Sequence, residues 1–453
     1  MLSAIFNSFI EASPLSVMMR GLAERLLNPE QLDPWFEQFA QEQYTRELLF
    51  STVVSLMLEV VCGTRKSVNA AYQAMQAAIP VSIQAVYEKL RGVEPGVAAE
   101  LVRYAARDGQ AVIAALAGAS PAVLPGYSVR ILDGNHLAAT EHRLKALRGY
   151  AGGALPGQAL VVYDPDRDLV LDVVPCENGH TQERALLAAV EAHLAAGQVW
   201  VMDRNFCVLH WLQQIAAAPA YFVVREHEQI PFTPLAPMQE QGATETGWVA
   251  EQPIQVIGPN GQAVVWRRIR VLLQKPTRAG DDHVYLWTHL PAAVTALTVA
   301  RLYLKRWRIE TAFQHLAQDL NTEIKTLGYP RAALFGFCIG LVAYNSLAVL
   351  KAALRRVHGA ERIDAQLSGY YVADEVSGTY RGMMIAIPPA EWQVFRHLSV
   401  TDLATILIDL AGKVCLARFR KHPRGLKKPR PPRQFDPKHP HQATVKLLIN
   451  RHK

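Results

Sequence analysis

The chain has 453 residues, half of them hydrophobic and 19% charged, which excludes a disordered polymer and implies two to four folded domains. Its net charge of +7 is unevenly spread: Lys413 to Lys453 hold 13 Lys or Arg and a single acid, Asp436, leaving 34 basic and 39 acidic residues elsewhere. A basic tail on a near-neutral body fits a polyanion such as nucleic acid, although a solvated tail that only aids solubility reads the same way. Five scattered cysteines without CxxC spacing indicate neither a zinc site nor a disulfide framework, so a reducing cytoplasm is expected. No basic segment followed by an apolar stretch opens the chain, so no secretory signal is read.

Residues 1–125 read as a helical domain. Asp33 and Pro34 are placed as N-cap and first helical residue of one helix. Glu47 to Val61 forms a second. Ser67 to Ala78 and Ser82 to Leu90 form a short pair with Ser82 as N-cap, compatible with a helix-turn-helix or with ordinary helical packing. Residues 126–227 change character. Strand-like runs occur at Tyr127–Asp133, Gln158–Tyr163, Leu169–Pro175, Val199–Asp203 and Ala220–Arg225, with helices at Thr181–Ala196 and Val208–Ala217. Three strands followed by helix-strand-helix-strand give a mixed sheet covered by helices, and the uninterrupted apolar run at Val199 suits a central strand buried on both faces. The acidic segment Asp164 to Asp168 fits a hairpin loop, and His180 fits a turn.

Residues 228–290 form a β-rich insertion: short stretches at Gly247–Val249, Pro253–Ile257, Ala263–Leu273 and Val284–Leu290, with a hairpin signal at Pro259-Asn-Gly261. A single long helix is expected from about Ala292 to Leu320, within a segment 291–355 that completes the core. Ala332 to Leu350 are 19 uncharged residues, near the length of a membrane span; Tyr344, Asn345 and Ser346 inside the run favour a buried core helix instead. Residues 356–453 are a helical region and a proline-rich basic tail that includes Lys427, Lys428 and Arg430.

Three acidic residues carry the chemical argument. Asp133 and Asp203 each end a strand-like run and would project from the carboxyl edge of the sheet, where open α/β sheets bind ligands. Glu310 sits in Tyr303-Leu-Lys-Arg-Trp-Arg-Ile-Glu310, among Lys305, Arg306 and Arg308. Carboxylates at strand ends and on a distant helix can converge, and an oxygen-only set suits Mg²⁺, with Mn²⁺ as substitute. Two such ions about 4 Å apart can activate a nucleophile and stabilise a leaving oxygen in phosphodiester chemistry. A surface ion pair between Arg306 and Glu310 at i,i+4 is the plainer alternative.

Tyr303-x-x-Arg306-x-x-x-Glu310 resembles the Y-R-E signature of IS4-family bacterial transposases. Leu132-Asp133-Gly134 and Met202-Asp203-Arg204-Asn-Phe206 resemble that family's first and second Asp motifs, as does the β-rich block before the Glu. The resemblance covers roughly residues 30–435. It implies an α/β, RNase H-like mixed-sheet core with a β-rich insertion and a helical N-terminal domain. It further implies Asp133, Asp203 and Glu310 as a metal-binding catalytic triad, with Tyr303 and Arg306 contacting transposon-end DNA. The implied activity is two-Mg²⁺ cleavage of DNA ends and strand transfer, by a homodimer holding transposon ends and target DNA near the bacterial nucleoid. Some members form a hairpin with a flipped base, for which Trp248, Trp266 and Trp287 are candidates. One position departs: the family carries lysine seven residues after the Glu, where this chain has Ala317, with Gln314 and Gln318 as possible substitutes. That departure keeps open a DNA-binding protein of transposase origin that does not transpose.

Overall fold

A computed structural model describes residues 2–141, 144–145, 147–149, 152–258, 260–277, 280–422 and 440–449. Lys427, Lys428, Arg430 and Pro259 lie outside this set, as do the side chains at 315, 317 and 318, and with them the questions raised by Ala317 and Gln318.

The strands among the described residues, in chain order, are β1 (Ser128–His136), β2 (Ala154–Leu155), β3 (Gln158–Asp164), β4 (Leu169–Cys176), β5 (Gln198–Met202), β6 (Tyr221–Arg225), β7 (Thr233–Pro234), β8 (Gln239–Thr244), β9 (Gly247–Ile257), β10 (Ala263–Leu273), β11 (His283–Thr288) and β12 (Gln442–Ala443), the last pairing with β2. The main sheet runs β4-β3-β1-β5-β6-β11-β10-β9-β7, with β8 also on β9. β4, β3 and β1 are successively antiparallel, whereas β1, β5 and β6 are parallel. Because β11 pairs with β6, the strands of residues 228–290 continue the same sheet. The stretches expected at Gly247 and Pro253 form one strand, since Pro253 needs no amide hydrogen bond to β10 there and its carbonyl accepts from the Leu235 amide.

Period-2 alternation explains how the sheet is sandwiched. On β5, Val199 and Val201 enter one apolar cluster, while Trp200 and Met202 enter another. The first cluster is filled by helices α1 (Phe50–Val61), α2 (Pro95–Leu116) and α5 (Pro330–His358). The second holds Trp211, Leu212 and Ile215 from the helix Leu209–Ala217, together with Leu187 and Val190. Thr181–Ala196, expected as an α-helix, instead contains 3₁₀ segments Glu183–Ala189 and Glu191–His193. Its two fully buried apolar anchors, Leu187 and Val190, are three residues apart, the spacing that a 3₁₀ turn aligns.

Other local expectations shift with their caps. The helix placed at Asp33 starts at Pro29, with Asn28 accepting from the Glu30 amide. Asp33 instead accepts from the amide and hydroxyl of Ser51, both at 2.8 Å, and so caps α1 from the neighbouring helix. Ser82 caps Ile83–Gly92 as expected. The long helix expected to carry Glu310 is two: α3 (Ala296–Leu304) and α4 (Trp307–Gln318). Across the break, the amides of Lys305, Arg306, Arg308 and Ile309 each bond to the carbonyl three residues back, a tight turn that re-aims the chain.

α5 passes the length and composition test for a membrane span, yet 89% of its most apolar window is buried within the protein. Asn345 shows why a polar residue sits in that run. Its side chain accepts from the Val170 amide at 2.9 Å and donates to the Val170 carbonyl at 2.8 Å, pinning edge strand β4 to the helix. Asn345→Ala strands both backbone groups in a dry environment. We expect a loss of about 2–4 kcal/mol, read as a lower urea midpoint.

Candidate active site

The register between β1 and β5 brings the two aspartates together. Leu132 pairs with Met202 as the last parallel pair, so Asp133 and Asp203 are the next residues on adjacent strands. Neighbouring strands lie about 4.8 Å apart. Asp133, expected to end its strand, lies within it, because β1 runs on to His136 against β3. Asp203 does leave β5 at its end and accepts from the Arg204 amide as the cap of a 3₁₀ turn.

Arg306 draws the third carboxylate in. One guanidinium nitrogen donates to Asp133 Oδ2 at 3.0 Å and another to Glu310 Oε1 at 2.8 Å, while its Nε is buried without a partner among the described residues. Asp203 also lies within its electrostatic reach. The i,i+4 pair with Glu310 is therefore real, but it is one arm of a bridge and not a surface ornament. Burial pushes the Asp133 carboxyl up to about 7; Arg306 opposes that shift, and Asp203 and Glu310 reinforce it. Burial also pushes the Tyr303 hydroxyl up to about 12, and Arg306 sits over its ring at 5.9 Å from the centroid.

The other cations of this segment diverge. Lys305 is exposed, within electrostatic reach of Glu245, and Trp307 is exposed as well. Arg308 donates to the Pro165 carbonyl at 2.9 Å, away from the carboxylates. Two neighbours escaped sequence reasoning. Glu183 accepts from Asn205 Nδ2 at 2.6 Å, and its carboxylate occupies the space that a side chain at Gly134 would fill. Arg225 at the end of β6 lies within electrostatic reach of Tyr303. The Asp133-Gly134 dipeptide and Asn205 beside Asp203 were the available hints. His180 takes a turn position, its amide donating to Asn178 Oδ1.

The donor set is hard carboxylate oxygen, which fits Mg²⁺ or Mn²⁺. Among the described residues, no three His, Cys, Asp or Glu side chains are gathered closely enough to hold an ion. Oxygens of Asp133 and Glu310 that would face a metal here face Arg306. Of the three tryptophans considered for base stacking, Trp266 and Trp287 are buried beneath the sheet and Trp248 is 58% exposed.

Residues 124–346 match the family described as Transposase DDE domain. A stretch of 212 residues is 26% identical to a Sinorhizobium fredii protein described as "Putative transposase y4zB", covering 46% of this chain and 57% of that one. The chain thus spans a little over half of that relative's length. A solved structure of a piggyBac transposase synaptic complex with hairpin DNA aligns with a TM-score of 0.38 and 9% identity, over 86% of this chain and 84% of that one. Both likenesses are to transposases, over residues 124–346 in the first case and 212 residues in the second.

An acid whose folded pKa lies above its unfolded value binds more protons when folded, so its contribution to stability declines as pH rises between the two. For Asp133 that window runs from about 4 to about 7. In EDTA, stability to denaturant should fall across this window by up to about 4 kcal/mol, and Asp133→Asn should flatten the slope.

Proposed function

We propose that this chain is a cut-and-paste transposase of the IS4 type, with an RNase H-like core whose triad is Asp133, Asp203 and Glu310. The observation that carries it is the placement of Asp133 on β1 beside Asp203 at the end of the adjacent parallel strand β5, with Glu310 joined to Asp133 through Arg306. The strand order β4-β3-β1-β5-β6, antiparallel then parallel, supports the RNase H-like reading. The proposed parts are a helical segment over 1–125 for DNA-end binding, core segments 126–227 and 291–355, the insertion 228–290, and the C-terminal segment 356–453 with its basic tail.

Asp133, Asp203 and Glu310 would hold divalent metal, which when bound activates the attacking oxygen and stabilises the leaving one. The chain's own work is positional. The sheet fixes Asp133 and Asp203 at strand spacing, and α4 presents Glu310 from the covering layer. Asp133, raised by burial, would have to lose its proton to serve as a metal ligand. Arg306, held charged by the acids around it, is a donor for the scissile phosphate once it leaves them, and Tyr303 abuts it. The exposed Lys305 and the tail residues Lys427, Lys428 and Arg430 serve phosphate contacts at longer range. Two DNA ends imply a homodimer acting in the cytoplasm on transposon-end and target duplexes.

Glu310→Gln should lower Mg²⁺-dependent cleavage of end DNA by more than about 100-fold while duplex binding survives. Cleavage at the unmutated rate would overturn the triad. The second reading, a DNA-binding protein that does not transpose, is favoured by Ala317 in place of lysine; it predicts no Mg²⁺-dependent nicking by the unmutated chain. Trp248, exposed on β9, is the proposed platform for an unstacked base. Trp248→Ala should weaken binding of DNA ends bearing an unpaired base by about 1–3 kcal/mol, and Trp248→Phe should restore most of it.

A further inference from the structure

Behind α4, away from the carboxylates, lies a cavity of about 210 Å³ whose lining includes Arg308, Lys351, Arg355 and Lys421, together with Asp168 and Asp364. It adjoins the β3–β4 turn. Pro165, which receives Arg308, is four residues along from Val161, the partner of Asp133, so the cavity sits about 13 Å from the triad along the sheet.

The hydrogen bonds show which charges are balanced. Asp168 accepts from Lys351 at 2.7 Å and from the hydroxyls of Tyr163 and Tyr344 at 2.5 Å each, with Arg355 3.8 Å away. Burial would raise this carboxyl, but Lys351 and Arg355 hold it well below the usual range. Asp364 accepts from Arg355 Nε at 2.8 Å and from Ser120 at 2.9 Å. Its backbone carbonyl accepts from Lys421. Four cationic side chains thus share this lining with two carboxylates, and Asp319 lies beside Lys351 in the adjoining lining. Arg308 is bonded to a carbonyl and, among the described residues, makes no ion pair, although Asp166 lies within its electrostatic reach. Arg355, 6% exposed, keeps Nη1 buried without a partner among the described residues, an arrangement that carries a desolvation cost. A buried guanidinium with spare donors, beside further cations in an open cavity, is the chemistry that receives a phosphoryl oxygen.

We propose that this cavity binds a phosphoryl group, either a backbone phosphate of bound DNA or a free phosphate or nucleotide, as a site separate from the triad. Arg308 and Thr311 from the first turns of α4 line it, so occupancy would brace the helix that carries Glu310. The site stands on its own geometry and does not require the transposase reading.

Equilibrium dialysis of the full chain against labelled inorganic phosphate, at fixed ionic strength and without metal, tests it. A single site is expected, weakened about tenfold or more in Arg308→Gln. Arg355→Lys keeps the charge that Asp168 and Asp364 need but removes the spare donor, and should weaken phosphate while the chain stays folded. In parallel, the salt dependence of duplex binding is measured for the unmutated chain and for Arg308→Gln. A slope lower by about one in the variant identifies a DNA phosphate as the occupant. Phosphate retention with an unchanged slope identifies a free phosphate or nucleotide. No phosphate retention above that of Arg308→Gln, together with an unchanged slope, overturns the proposal. Neither arm reads cleavage, so a failed triad and a failed cavity are told apart.

Discussion

Everything in the candidate site turns on Arg306. Burial disfavours the charged form of Asp133, and repulsion from Asp203 and Glu310 pushes the same way. A single guanidinium answers that repulsion by bonding to Asp133 and Glu310 while lying within reach of Asp203. The arginine itself is nearly buried, so it depends on those acids as they depend on it. On the proposed function, the same pairing would set a condition on metal loading, because an ion and the guanidinium would compete for the same oxygens. As it stands, Arg306 offsets part of the acids' charge, and whatever draws it away frees the oxygens of Asp133 and Glu310.

The geometry is only as precise as the platform beneath it. Both faces of β5 are buried, with Val199 and Val201 against the helical layer and Trp200 and Met202 against the opposite layer, so a register slip would send apolar groups to the wrong cluster. That is what holds Leu132 opposite Met202 and, one step on, Asp133 beside Asp203. α5 closes the helical layer, and Asn345 ties it to the edge strand, which would otherwise present an unpaired amide and carbonyl to an apolar helix. Sites built on strands and packed helices are held more tightly than sites on loops.

Much of this was legible in the residues. The five core strands appear within three residues of their expected ends, because continuous or alternating apolar runs report burial directly. Asp203 was readable as a strand terminus for the same reason. What the pattern could not carry were features decided by partners distant in sequence. β1 extends past Asp133 because β3 supplies hydrogen bonds there, although the apolar run has stopped. Asp33 looked like a cap for its own helix, but the Ser51 amide and hydroxyl are nearby in space. Glu183 is invisible as a neighbour of Asp133, since its place depends on the missing side chain of Gly134. The split between α3 and α4 was hidden because Lys, Arg, Trp and Arg all suit a helix interior by propensity.

That split is the reason two arginines two residues apart serve different ends. In an unbroken helix, positions 306 and 308 lie about 200° apart, on opposite sides of a rod, and 306 would share its stripe with 303, 307 and 310. Here the tight turn buries Arg306 against β1 while Trp307 stays in solvent. Arg308 is left facing the β3–β4 turn and the cationic cavity behind it. The first turn of α4 is thus gripped from both sides, by acids through Arg306 and by the hairpin through Arg308. A shift of that turn changes both environments together, because the backbone between them is only two peptide units long. The stretch most diagnostic in sequence is therefore also the mechanical link between the carboxylates and the rest of the core.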